Sequence, residues 1–355
     1  MQEYEQYKDV CSRAANLYVG IHRIYSMPVN VFMSLYVKTI SVEKDFDQKK
    51  VFEQVVKSTY TMLSRALPKD EHFALALNIL KKAYPEMISE KEWESFITNF
   101  AMIDESEEHS IPNWIKKSIA SKVMSLKTNH FDLYNSLNLE NEQLWRSFTQ
   151  STNIIDIPVN ISEFRKILVT QIFRPNLLIP MMTRSLSKLI MSNVPSEMKP
   201  TIQQLVDETK EDEPILFITN GEIDPSKEIL DFVQHKIGLN KYIELAIGKG
   251  QEIAAMQQVK RAAENGLWIC VKNVQLVPNW LNELNEILQT ISYQNGFRIW
   301  LICDSIRHFP QTLLNKCNKV LHEAPNSIKP KVQRLIQQWS PWLDKRRQNS
   351  KLLKT

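Results

Sequence analysis

Apolar side chains recur at helical spacing from residue 1 to about residue 160. Spacings of three and four residues place such side chains on one face of an amphipathic helix. Four stripes are clearest: Val51, Phe52, Val55, Val56, Tyr60 and Leu63; Trp93, Phe96, Ile97 and Phe100; Ile115, Ile119, Val123 and Leu126; and Leu144, Trp145 and Phe148. The pattern predicts a helical first part with these side chains in its core.

Local signals mark the ends of several of these helices. Ser89 followed by Glu92 has the spacing of a capping box, so a helix is expected to begin at that point. Two further amphipathic helices are predicted at 161–173, ended by Arg174 and Pro175, and at 177–191. The acidic stretch 104–108 is most simply a solvated connection between helices.

From residue 213 onwards the pattern changes to short apolar runs that alternate with helical segments. The predicted strands are 215–219, 242–246, 268–271, 297–303 and 319–322, and the predicted helices between them are 226–236, 252–265, 280–290 and 311–318. Strands that alternate with helices form parallel sheets with right-handed crossovers. We therefore predict an α + α/β chain whose second part is a three-layer αβα domain, like a P-loop NTPase, with a five-stranded parallel sheet.

Composition supports this division and excludes several classes of function. Six of the seven glycines lie between 221 and 296, so the turns concentrate in the second part. A net charge of +4 from 44 basic and 40 acidic residues argues against a nucleic-acid or membrane surface. The four cysteines form no CxxC pair, and the histidines show no zinc-hydrolase spacing, so no metal site is expected. No apolar run approaches the roughly 18 residues needed to span a bilayer.

The candidate for chemistry is the turn after the first predicted strand, where a P-loop domain would bind phosphate. The P-loop pattern G-x-x-x-x-G-K-[ST] supplies backbone amides, a lysine and a metal-binding hydroxyl. When the sequence is aligned on Gly221, Lys227 falls in register, but Ser226 replaces the second glycine and Glu228 replaces the hydroxyl. Glu222 and Asp224 would both face an incoming phosphate, and each repulsion costs on the order of several kcal/mol at contact distance. We interpret the segment as a structural turn in which Asp224 caps the following helix.

The end of the third predicted strand carries a second change, which the sequence presents as independent of the first. Hydrolysis needs acidic residues there for magnesium and the attacking water, but the positions hold Lys272 and Asn273. Asp304 ends the fourth strand and is expected to cap the next helix. The glycines of Gly248-Lys249-Gly250 follow the second strand and lack P-loop spacing, so they indicate a plain strand-to-helix turn. Together these residues predict the shape of an ATPase without metal, catalytic residues or hydrolysis.

An ordered set of motifs across most of the chain resembles dynein heavy chains. The motifs are Phe173-Arg174-Pro175-Asn176; Pro214 to Ile218 with Gly221 and Asp224-Pro225; Gly248, Gly250 and Gln251; Gly266, Trp268, Asn273, Leu276, Trp280 and Leu281; Phe297, Arg298, Trp300 and Leu301; Phe309-Pro310; and Glu323 with Pro325. The match is to the end of the fifth and most of the sixth AAA+ module. Within the family, the sequence most resembles the cytoplasmic dynein 2 type, the motor of intraflagellar transport.

The resemblance implies a fragment of a ring of six AAA+ modules in a minus-end-directed microtubule motor. Residues 1–160 would be the small subdomain of the fifth module and a connection, 161–325 the large subdomain of the sixth with its leading helices, and 326–355 the start of a helical lid. The module would be structural and bind no cofactor, with ATP and Mg²⁺ in neighbouring modules. Its partners would be those modules, dynein accessory chains and, through absent parts, microtubules, in the cytoplasm, cytoskeleton and cilium.

Two other hypotheses remain open. The chain could be a free-standing ATP-binding enzyme with a divergent P-loop, in which case Lys227 would be needed for binding. A nucleic-acid binder based on the basic stretch 345–354 is a weaker alternative, because a solvated chain end explains the same residues.

Overall fold

A computed structural model describes residues 2–20, 27, 29–42, 47–100, 111–151, 153, 156–196, 199–211, 213–219, 224–304, 306–307 and 309–322. The chain divides into two compact units, Met1–Lys199 and Pro200–Thr355, which we describe separately. The segment 326–355, expected to begin a lid, lies outside the described residues. The domain boundaries at 160 and 325 stay predictions.

The first unit is helical throughout its described part. Its helices are α1 (Gln2–Gly20), α2 (Val29–Val42), α3 (Gln48–Ser64), α4 (His72–Ala83), α5 (Glu90–Ile97), α6 (Lys117–Asn129), α7 (Phe131–Leu137), α8 (Glu142–Gln150), α9 (Glu163–Phe173) and α10 (Leu178–Ile190). The helix predicted at 161–173 begins two residues later, because Ser162 accepts the first-turn amide of Arg165 and caps it. The helices α9 and α10 pack on each other and share the core of this unit.

The apolar core predicted for the helical unit is confirmed, except at one position. Trp145 and Phe148 are fully buried, and Trp145 stacks on Phe173 with ring centroids 5.4 Å apart. Ile97, however, is 63% exposed. The helix α5 ends at this residue, and Phe100 reaches the core from the turn beyond it, with a φ of 54°. The helical spacing therefore selects the correct aromatic side chains, but it extends the predicted helix one turn beyond the actual end of α5.

The expected capping box at the start of α5 forms only in part. Ser89 accepts the amide of Glu92, at 3.2 Å, as a cap does. The Glu92 carboxylate does not return to the cap; its Oε1 accepts from Nε of Arg165 at 2.7 Å, and the side chain is only 5% exposed. A buried carboxylate requires a partner, and the guanidinium on α9 satisfies it better than a backbone amide.

Two buried histidines of the helical unit are held in their neutral form. Nδ1 of His72 accepts the backbone amide of Ser196 at 3.0 Å, so the proton is on Nε2, which donates to the Leu67 carbonyl at 3.1 Å. His130 is joined to Ser95 by a 2.7 Å hydrogen bond. Burial lowers the pKa of both imidazoles.

The second unit is the predicted three-layer α/β domain. Its strands are β1 (Ile215–Thr219), β2 (Tyr242–Ala246), β3 (Trp268–Lys272), β4 (Arg298–Cys303) and β5 (Asn318–His322); its helices are α11 (Ile202–Glu208), α12 (Ser226–Lys236), α13 (Glu252–Glu264), α14 (Pro278–Thr290) and α15 (Gln311–Lys316). All pairings are parallel, in the order β2-β3-β4-β1-β5. The predicted fold class is confirmed, and the predicted strand ends differ from these by at most one residue.

The two faces of the sheet bury different sets of side chains, as alternation along each strand requires. One face, with Leu216, Val271 and Leu301, packs with the residues of α13, α14 and α15. The opposite face carries an aromatic layer in which Trp300 lies against Phe217 and Trp268, at centroid distances of 5.9 and 5.4 Å. The helices α11 and α12 cover this second face. The start of α12 is thereby brought to the carboxyl ends of the strands.

Candidate nucleotide site

The candidate site lies where β1 and β3 end and α12 begins. The strand β1 is an apolar run that is buried along most of its length, so its carboxyl end is fixed by the core. Residues 220–223, with the predicted turn residue Gly221, lie outside the described part of the chain. The described site consists of Thr219 before this segment, Asp224 and the start of α12 after it, and the ends of the neighbouring strands.

Asp224 caps the first turn of α12, as its position predicts. Its Oδ1 accepts the backbone amide of Ser226 at 3.0 Å. Pro225 has no amide hydrogen to offer a ligand and its carbonyl accepts from Ile229. The amide of Ser226, which a P-loop would present to phosphate, is thus already bonded within the protein.

The ammonium group of Lys272 contacts three oxygens, one on β2 and two at the start of α12. Its Nζ lies 2.7 Å from Oε1 of Glu244 on β2 and 3.3 Å from Oδ2 of Asp224. It also donates to Oγ of Ser226, the first residue of α12, at 3.4 Å. The altered turn and the altered third strand are therefore in contact, and the expectation that they are independent changes is wrong.

Glu244 was missed in the sequence because a glutamate on a strand is ordinarily a solvated side chain. Its second oxygen, Oε2, accepts from the hydroxyl of Tyr242 at 3.0 Å. The signal was present in the alternation: Glu244 and Lys272 lie on the same face of neighbouring strands, with Glu244 opposite Cys270. Only the strand order, which places β2 beside β3, converts that signal into a contact.

The charges at the site stabilise one another. The bond to Glu244 raises the pKa of Lys272 despite the opposing effect of burial. Burial works against ionisation of Asp224, but the hydrogen bonds from Ser226 and the attraction of Lys272 outweigh it and lower the pKa of this carboxyl. Because the side chain of Asp224 is 44% exposed, the pair with Lys272 contributes less than about 1 kcal/mol by itself.

The described side chains that meet at Lys272 carry more negative than positive charge. Two carboxylates and one ammonium leave a net charge of −1 at the position where the phosphates and their magnesium would lie. The β3 end offers Lys272 and the exposed Asn273, which has a left-handed backbone with a φ of 62°. Within the described residues, no group of three or more acidic, histidine or cysteine side chains is arranged to hold a metal ion.

The P-loop positions on α12 point to other partners or to solvent. Lys227 is exposed, and its side chain forms no hydrogen bond or ion pair with another residue that the structure describes. Glu228, in the register of the metal-binding hydroxyl, faces His322 at the end of β5, with 3.2 Å between Oε1 and Nε2. The first two turns of α12 are thus tied to the ends of both β3 and β5.

Asp304 does not have the expected capping role. Its Oδ1 accepts from the hydroxyl of Thr219 at 2.7 Å, which joins the carboxyl ends of β4 and β1. The next helix, α15, begins only at Gln311, after Pro310, without a side-chain cap. The turn at Gly248 is confirmed as a strand-to-helix connection, closed by a 3.0 Å bond from the Gly248 amide to the Gln251 side chain.

Buried cysteines complete the interior beside the site. Cys270 and Cys303 are buried core residues, as predicted, and burial raises the pKa of the Cys270 thiol to about 12. Such a thiol stays protonated and unreactive at neutral pH. Among the helices that the structure describes, none combines the length and apolar character of a bilayer-spanning segment.

The parallel order of the strands, with a turn-to-helix segment after β1, defines an α/β domain of the P-loop type. Residues 210–321 match the family described as the dynein heavy chain region D6 P-loop domain. The α/β part of the chain is therefore similar to the P-loop domain of dynein heavy chains, and the family resemblance predicted from the sequence is confirmed.

The similarity to dynein heavy chains extends into the helical unit. Cytoplasmic dynein 2 heavy chain 1 of Homo sapiens is 27% identical over 363 residues, which cover 96% of this chain and 8% of the relative. The protein of the same name from Chlamydomonas reinhardtii is 26% identical, again over 96% of this chain. Dynein axonemal heavy chain 10 of Homo sapiens is 24% identical over 68% of the chain. The chain spans only 8% of the length of the first of these relatives.

Proposed function

We propose that the chain forms the end of the fifth and most of the sixth AAA+ module of a dynein heavy chain, and that the sixth module is structural and does not hydrolyse ATP. The observation that carries this proposal is the position of the Lys272 ammonium between Asp224 and Glu244, at distances of 3.3 and 2.7 Å. Groups that would have to contact phosphate and magnesium are instead paired with each other.

The proposed role is mechanical, within a ring whose ATP and Mg²⁺ are bound by neighbouring modules. The parent protein would be an ATP-driven, minus-end-directed microtubule motor. The proposed place of action is the cytoplasm, cytoskeleton and cilium, in intraflagellar transport. The cytoplasmic part of this proposal is supported by the name of the relatives, cytoplasmic dynein 2 heavy chain 1, in several organisms. Dynein accessory chains are expected partners of that parent, and microtubules would be contacted through its other parts.

The alternative function is a free-standing ATP-binding enzyme with a divergent P-loop. Lys227 is the one observation in its favour, because it is exposed and falls in the register of the phosphate-binding lysine. The net charge of the neighbouring side chains argues against it.

A binding titration of the 355-residue chain with a fluorescent ATP analogue and Mg²⁺ separates the two. We expect no saturable binding up to about 1 mM. A dissociation constant of about 1 mM corresponds to a binding free energy of about −4 kcal/mol, and the proposal is that the altered site does not supply it. The matched variants are Lys227→Ala and Lys236→Ala, which remove a lysine from the start and the end of α12. Micromolar binding that is lost in Lys227→Ala and kept in Lys236→Ala would establish the enzyme hypothesis instead.

A further inference from the structure

We infer that Lys272 acts as a tethered cation that holds the start of α12 closed against the ends of β2 and β3, independently of any nucleotide. The inference deepens the proposed function and takes its meaning from it. In a working P-loop domain, the corresponding region is drawn together by phosphate and Mg²⁺. Here a side chain of the protein itself provides the positive charge.

The geometry of the acceptors supports this role. Three oxygens, one from β2 and two from the start of α12, converge on one nitrogen: Oε1 of Glu244, Oδ2 of Asp224 and Oγ of Ser226. An ammonium group has three hydrogens to donate, so each can be directed at one of them. The side chain of Lys272 is 25% exposed, which leaves it less screened than a surface lysine.

The hydrogen bonds continue on both sides of Lys272. On one side the Tyr242 hydroxyl fixes the other oxygen of Glu244, at 3.0 Å. On the other side, Oδ1 of Asp224 accepts a hydrogen bond from the backbone amide of Ser226 at 3.0 Å. A continuous polar chain therefore runs from the edge strand to the first turn of α12. Polar chains of this kind hold their members in one arrangement when every member is satisfied.

The consequence is a module in which the first turn of α12 is held in one arrangement. A nucleotide and its Mg²⁺ can dissociate from a P-loop site, whereas a covalently attached cation does not dissociate. The start of α12 would then transmit forces from neighbouring parts without a cycle of its own.

Hydrogen exchange at the first turn of α12 tests this inference in the 355-residue chain. The amides of Ser226, Glu228 and Ile229 are bonded to Asp224 or Pro225 and report directly on this turn. Lys272→Met keeps the length of the side chain and removes its charge. We expect exchange at these amides to become about two- to fivefold faster, as for the loss of a partly exposed ion pair. Lys249→Met, in the turn after β2, is the matched control and should leave the rates unchanged.

A double-mutant cycle with Glu244→Gln tests whether the effect passes through the polar chain. Glu244→Gln should accelerate exchange several-fold when Lys272 is present. In the Lys272→Met background it should cause no further acceleration, because there it removes one of two carboxylates that repel each other. Unchanged protection of β4 in the same sample shows that the variants are folded. Equal rates in wild type and Lys272→Met, or additive effects in the cycle, would overturn the inference.

The nucleotide titration is read separately, so that the two proposals fail in different ways. If Lys272→Met leaves the exchange rates unchanged and the chain binds no Mg-ATP, only the role of Lys272 as a tethered cation is disproved. If the wild-type chain binds Mg-ATP tightly, the structural role of the module is disproved. In that case, unchanged exchange in α12 on addition of Mg-ATP would still support the tethered cation, and slower exchange would overturn it.

Discussion

The close approach of two turns at the start of β3 gives a prediction that can be worked out from the structure. Gly266 has a φ of +62°, and a Cβ placed on it would lie 2.6 Å from the backbone oxygen of Asn295. Gly250 has a φ of +87°, but a Cβ there meets nothing within 4 Å. Both positions require a left-handed backbone, and only Gly266 is also restricted by a neighbour. Alanine substitutions at the two sites therefore separate backbone strain from steric contact.

The expected difference follows from these two contributions. A left-handed backbone costs an L-residue about 1–2 kcal/mol, and the loss of glycine's freedom in the unfolded chain offsets about 0.4–1 kcal/mol of that. Gly250→Ala should therefore destabilise the α/β unit by about 1 kcal/mol or less. At Gly266 the contact is with backbone, so relief requires a shift of the turn, which adds about 1–3 kcal/mol, as overpacking does.

The assay is urea-dependent hydrogen exchange in the 355-residue chain, measured in peptides that cover β3. This strand is central to the α/β unit, so its exchange reports the stability of that unit and not that of the helical unit. Wild type, Gly250→Ala and Gly266→Ala are compared under one set of conditions. Equal free energies for the two variants would refute the argument, because the strain common to both positions would then be the whole effect.

Two further predictions concern the helical unit. Glu92→Ala should destabilise it by about 1–2 kcal/mol in urea unfolding, because a buried charged hydrogen bond is lost; Glu90→Ala, on the same helix with an exposed ion pair of equal length, should cause no measurable change. Acidification should also destabilise this unit, because the pKa of His72 and that of His130 are lowered in the folded state. Their contribution is complete above about pH 6.5 and is lost as the pH falls below that value. His72→Gln should reduce the difference in unfolding free energy between pH 7.5 and pH 5.5, and an unchanged difference would contradict the neutral tautomer.

The fold of the second unit could be predicted closely because its signals are local. Each strand is a short apolar run between turn residues, and each helix has a stripe of its own period, so β1 (Ile215–Thr219) and α12 (Ser226–Lys236) were bounded correctly. The helical unit was harder. Ile97 fits the helical spacing of apolar residues although its side chain is exposed. The actual end of α5 depends on the left-handed backbone conformation of the residues that follow it. Periodicity carries no information about where a backbone turns.

The site shows a different limit. The sequence identifies what each position has lost, such as the carboxylates at the end of β3, because a motif is read position by position. It does not show what the replacements gain from one another. Asp224 and Lys272 are separated by 48 residues, and Glu244 is not a motif position at all. Their contact depends on the order of the strands and the start of α12, which place all three at one edge of the sheet.

This contact changes how the altered site should be understood. If the substitutions had only removed chemistry, Asp224 would be an uncompensated carboxylate beside a second one, Glu244, and the turn would be destabilised by their repulsion. Lys272 between them, with a raised pKa, makes each substitution favourable in the presence of the others. A variant that restores an acidic residue at position 272 alone should therefore fail to restore Mg-ATP binding, since it would place a third carboxylate where the negatively charged phosphates would lie. Recovery of Mg-ATP binding by Lys272→Asp alone, measured in the same titration, would show that the site retained its function apart from one residue.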